Sequence, residues 1–141
     1  LRMGANSIYE SEVGSKSDVL IIQSLGILPL LYSDAELAFV GGSLVNRGGH
    51  NVIEPAIAKC PFILGENYFN FKNIVDAFIN ANATYIVKTP RNIYEIFSKI
   101  YKDQNNIKEN MIQNANSVID KNIGATSRQL SLITASFTIA E

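Results

Sequence analysis

Four short, unbroken apolar runs, at residues 19–22, 37–40, 61–64 and 85–87, alternate with stretches whose apolar residues recur at helical spacing. An unbroken apolar run suits a strand buried on both faces, and a helical-period stretch suits the amphipathic cover for one of those faces. Residues 28–32 read as a short helix and 52–59 as another. Residues 70–82 place Phe71, Ile74, Val75, Phe78 and Ile79 on one helical face, and 93–101 do the same with Ile93, Ile96, Phe97 and Ile100. From 106 to about 121, Ile107, Met111, Ala115, Val118 and Ile119 keep the period. Gly124 reads as its break, followed by a last helix carrying Leu130, Leu132 and Ile133. Alternating strands and helices predict an α/β fold, a Rossmann-like parallel sheet with helices on both faces. One domain over residues 1–141 is expected, since this length supports a single core.

Residues 1–18 are weakly patterned: 7–10 suit an edge strand and 14–17 a loop. No strand–helix unit precedes residue 19 and the first residue is Leu1, so the chain reads as a piece of a longer protein. A formal net charge of −1 gives no electrostatic footprint for nucleic acid or anionic lipid. The single cysteine, Cys60, excludes an internal disulfide and a cysteine-cluster zinc site, and its apolar neighbours suggest a buried, inert thiol. The longest apolar run, 25–32, is interrupted by Gly26 and Pro29 and falls far short of the ~20 residues of a membrane helix. The first residues carry no secretory pattern.

Residues 40–55, VGGSLVNRGGHNVIEP, place two glycine pairs between the end of a strand and the start of a helix. Glycine lets backbone approach a ligand closely, and a helix start presents unpaired N–H groups with partial positive charge. Together they suggest a seat for a phosphate at the carboxyl end of a parallel sheet. Asn51 and Glu54 read either as a local cap or as ligand contacts. With Asn51 as the cap, Pro55 falls on the fourth helical position; a helix starting at Pro55 removes that conflict and leaves Glu54 free to point outward. His50, the only histidine, reads as a structural residue or a phosphate donor, and Arg47 as a solvated loop residue or a phosphate clamp. Asn70 lies past the carboxyl end of the next strand, where it would cap a helix or meet a ligand. No pair of carboxylates has a spacing that identifies a general acid and base, and no nucleophile elbow or GxxxxGK[ST] loop is present.

The strings FVGGSLV at 39–45, RGGHN at 47–51 and EPA at 54–56 resemble the Kdo transferases, which add 3-deoxy-D-manno-octulosonic acid to the lipid A precursor. Ser24, Leu25 and Gly26, with Leu30, Leu31 and Tyr32, are similar to that family's D-T-M-G-E-L…L-Y segment. Asn70 and Phe71 match its N-F, and Asn122, Gly124, Ala125 and Arg128 its N-R-G-A-x-x-R. The resemblance covers roughly residues 19–133. It implies the carboxyl half of a two-domain GT-B glycosyltransferase, the half that binds the sugar nucleotide CMP-Kdo. Gly42 and Ser43 would then approach the donor, Gly49, His50 and Asn51 would face its phosphate with Arg47 beside them, and Glu54 would take the ribose hydroxyls. Asn70 would sit near the sugar.

The same resemblance implies an inverting transfer without a metal or other cofactor. It also implies a general base and a membrane-associating segment in the amino half, which also meets the lipid A acceptor. The piece in hand would be soluble and inactive alone, and the intact enzyme would lie on the cytoplasmic face of the inner membrane. The family's Asp and Glu beside T-M-G are Gln23 and Ile27 here, and the Arg of N-R-G-A is Ile123. Two other readings remain: half of a GT-B enzyme using a UDP-sugar, and a non-catalytic Rossmann-like interaction module.

Overall fold

The computed structural model describes residues 7–9, 18–102 and 104–138. Ala38–Val40 (β3), Phe62–Gly65 (β4) and Thr84–Val87 (β5) form a parallel sheet in the order β3-β4-β5. Ser7–Tyr9 (β1) and Val19–Ile21 (β2) pair with each other in a second parallel sheet. The helices are Leu28–Asp34 (α1), Ile53–Ile57 (α2), Lys72–Asn80 (α3), Pro90–Tyr101 (α4) and Ile107–Thr138 (α5).

Strand parity places the core. Phe62 and Leu64 face the side covered by Val52, Ala56, Val75, Phe78, Ala115 and Val118, from the residue before α2, α2 itself, α3 and α5. The rings of Phe62 and Phe78 meet edge to face, with centroids 5.1 Å apart. Ile63 points the other way, into Val87, Ile100 and Met111. Both faces of β4 are therefore covered, which is why its sequence is apolar at every position. This is the α/β arrangement that alternating runs predict, with helices on both faces, except for the run at 19–22. There Val19–Ile21 is exposed and pairs with β1 in a sheet of its own instead of being buried on both faces.

Three local expectations need correction. The helix expected from 70 opens as a 3-10 turn, Phe69–Phe71, before α3 begins, and Asn70 does not cap it. Helix α2 starts at Ile53, so Pro55 falls in the first turn, where no N–H is needed. Gly124 does not end a helix: α5 runs through it as one element. A single interior glycine costs about 1 kcal/mol relative to alanine, which slows a helix without stopping it.

Elsewhere local chemistry sets the boundaries. Thr89 accepts a hydrogen bond from the Asn92 N–H and Pro90 takes the first position of α4. Asn82, at φ +54°, turns the chain out of α3 towards β5. No described helix is long and apolar enough to cross a membrane.

Candidate functional site

Because β3 and β4 are parallel, their carboxyl ends share one rim, and the segments leaving them meet there. The loop after β3 turns on Gly42, Gly48 and Gly49, all at φ between +71° and +82°. Gly48 is tightly enclosed: a Cβ there would run into the Asn70 side chain and come within 2.6 Å of the Phe69 ring. Gly65, closing β4, lies so near the Ser43 carbonyl that no side chain fits.

Ser43 is the latch of this rim and is wholly buried. Its hydroxyl donates to the Val40 carbonyl at 2.5 Å and accepts from the Gly65 N–H at 2.8 Å, tying the two strand ends together. Asn67 donates to the Ser43 carbonyl twice, from its backbone N–H at 2.9 Å and from its side-chain amide at 3.2 Å. The Ser43 hydroxyl is therefore committed inside the protein, because a buried hydroxyl needs partners of its own. Ser43 shapes the rim without offering its side chain to it.

Asn70 works in a similar way. Its side-chain amide donates to the Arg47 carbonyl at 3.1 Å and its backbone N–H to the Gly48 carbonyl at 3.2 Å. Arg47 itself is exposed, and its guanidinium forms no ion pair with a described residue. His50 is exposed too, with its ring against Gly42, where a Cβ would lie 3.3 Å from it.

Asn51 and Glu54 are joined. The Asn51 amide donates to Glu54 Oε1 at 3.0 Å, while its oxygen accepts from the Ile53 N–H at 2.9 Å. These bonds occupy Asn51 and one carboxylate oxygen of Glu54, but the cap position of α2 falls to Val52, which makes no side-chain bond, so Asn51 is not the cap. The half-buried Glu54 still reaches a hollow of about 440 Å³. The other walls of that hollow come from Ile22, Ser24, Leu25, Gly26, Ile27 and Pro29. A second groove of about 360 Å³ runs beside it, lined by Leu28, Leu31, Tyr32, Phe39, Gly41 and His50. Burial pushes the Tyr32 phenol above its usual range, and the nearby Glu54 charge and Cys60 add to that.

The fold brings Gly42, Gly49, His50, Asn51 and Glu54 to one rim and adds the bend at residues 24–27 and the start of α1 beside Glu54. Asn67 was not among the expected residues. Its only sequence signal is an asparagine two places after a strand-closing glycine, which says nothing of the loop 24 residues earlier. Cys60 is buried, and burial raises its thiol pKa, as its apolar neighbours suggested. The side chains of Ile123 and Arg128 lie outside those described. No cluster of His, Cys, Asp and Glu among the described residues has the makings of a metal site.

No protein-family model matches the chain. It is similar to the 3-deoxy-D-manno-octulosonic acid transferase of Haemophilus influenzae, at 32% identity over 117 residues covering 83% of this chain and 27% of that protein. It is 40% identical over 83 residues to the transferase of the same name from Bordetella pertussis, covering 59% of this chain and 19% of that one. Among solved structures it is similar to the C-terminal CMP-Kdo binding domain of WaaA from Acinetobacter baumannii. That match has a TM-score of 0.74 and 32% identity, over 82% of this chain and 61% of the other. The chain spans about a fifth to a quarter of the length of these curated relatives.

Proposed function

The chain belongs to the Kdo transferase family, on the side of its carboxyl-terminal domain, and from that premise we propose that it supplies the CMP-Kdo-binding half of an enzyme that transfers Kdo to the lipid A precursor in lipopolysaccharide synthesis. Gly42 approaches the donor and Gly49, His50 and Asn51 face its phosphate, with Arg47 free to swing towards it. Glu54 takes the ribose hydroxyls, because a carboxylate accepts paired hydrogen bonds from a vicinal diol. Asn70 contributes through the loop it holds and through its remaining amide oxygen. As the glycosidic bond to the phosphate breaks, negative charge grows on the leaving CMP, and N–H groups fixed in advance stabilise it without reorganising. In this reading the transfer inverts the anomeric centre and uses no metal. The general base, the acceptor contacts and the attachment to the cytoplasmic face of the inner membrane belong to the rest of the protein, and this portion alone does not turn over.

The observation that carries the reading is the grouping of Glu54 with residues 24–29, a bend and the start of α1, around one hollow, next to a loop bent by three left-handed glycines. A nucleoside monophosphate fits such a pairing: a carboxylate for its sugar and backbone N–H groups for its phosphate. Titration of labelled protein with CMP, and separately with UMP, tests it. CMP-selective amide shifts at Gly42, Gly49, His50, Asn51 and Glu54 are expected. Glu54→Ala should weaken CMP by about tenfold or more, since each hydrogen bond to a charged group contributes roughly 1.5–3 kcal/mol. Equal response to UMP would point to a different sugar nucleotide, and silence towards both would overturn the assignment.

A further inference from the structure

The loop after β3 is gripped from one side, and every grip has the same polarity. Five hydrogen bonds reach it from residues 65–70, and in all five the later segment donates. Gly65 N–H meets the Ser43 hydroxyl, Asn67 meets the Ser43 carbonyl twice, and Asn70 meets the Arg47 and Gly48 carbonyls. A trans peptide unit is planar, so its C=O and the N–H of the next residue point in opposite directions. Drawing the Ser43 and Arg47 carbonyls towards 65–70 therefore turns the N–H groups of Leu44 and Gly48 to the opposite side of the loop. Neither N–H has a hydrogen-bond partner among the described residues, whereas the third such group, Gly49 N–H, is taken by the Gly42 carbonyl at 3.3 Å.

We propose that Asn67 is a positioning residue for the donor phosphate: by saturating the Ser43 carbonyl it fixes the orientation in which the loop offers its N–H groups to an anion. The inference rests on the donor-site reading above and assigns Asn67 a task that acts through Ser43, with no contact to the ligand. An asparagine serves because its backbone and side chain can both donate to the one oxygen. Gly48 serves because Asn70 needs the space that a Cβ would fill.

The test compares CMP with cytidine, which lacks the phosphate, by amide-shift titration of the 141-residue chain and its Asn67→Ala variant. Loss of one such hydrogen bond should weaken CMP about fivefold and leave cytidine unchanged, so the preference for the phosphorylated ligand falls. Asn67→Leu keeps the shape of the side chain and drops the donor, so it should give the same split and carries the test if the alanine variant loses its fold. Equal weakening of both ligands, or of neither, would overturn the positioning role while leaving the donor site in place. A wild-type chain that binds neither CMP nor cytidine would overturn the donor-site reading and this inference with it.

Discussion

The two segments that meet at the candidate site are held in opposite ways. The rim at 40–70 is stitched by hydrogen bonds that cross 22–24 residues of sequence, with Ser43 buried at its centre. The segment at 19–31 is apolar and largely uncovered: Leu25 is fully exposed, Leu30 is 70% exposed, and α1 buries no residue. Its first turn has Pro29 but no side-chain cap. One wall of the site is thus made rigid from within, and the other depends on whatever its apolar face meets.

The sharpest way to break this comparison is Gly65→Ala. A methyl there would meet the Ser43 carbonyl carbon and the Leu44 nitrogen, backbone atoms that cannot swing aside. A loss of about 3 kcal/mol is expected in urea unfolding; a loss below about 1 kcal/mol would mean that the rim is looser than its hydrogen bonds imply. Next comes a matched pair, Ser43→Ala and Leu30→Ala. The first strands a buried Gly65 N–H and should cost about 1–3 kcal/mol. The second trims an exposed side chain and should stay within about 0.5 kcal/mol. Similar costs at the two sites would erase the distinction.

The smallest effect links the two walls through Tyr32 and Glu54. Burial raises the Tyr32 pKa first, and the Glu54 carboxylate raises it further. Glu54→Gln should therefore move the Tyr32 titration down towards the usual value near 10, yet leave it above. The sign for stability follows. The unfolded phenol loses its proton first, so the contribution of Tyr32 is intact below about pH 10 and is lost as pH rises through the folded pKa. Ring-carbon shifts of labelled tyrosine give the midpoint. A Tyr32 midpoint unmoved by Glu54→Gln would place the Glu54 hollow too far from the groove that Tyr32 lines for the two to adjoin.

Much of the frame was legible because it depends on neighbours in sequence. The apolar runs at 19–22, 37–40, 61–64 and 85–87 correspond to β2, β3, β4 and β5, and the edge strand suggested at 7–10 to β1. Helical spacing located α3 and α4, whose buried faces repeat every three or four residues. Gly124 misled because glycine punctuates only where the tertiary structure lets a helix end, and here α5 continues. Asn70 misled in the same sense: position favours a cap, while its amide is drawn to the Arg47 carbonyl 23 residues away.

The order of elements, the parallel sheet and the family likeness of the glycine loop were fixed by sequence, because apolar period and motif spacing are local properties of the chain. Which polar side chains face a ligand and which are spent on the fold was decided by tertiary structure alone. Ser43 and Asn67 carry no local mark of their roles. A buried polar group must find partners wherever the strands bring them, and parallel pairing of β3 with β4 brings Gly65 and Asn67 to Ser43.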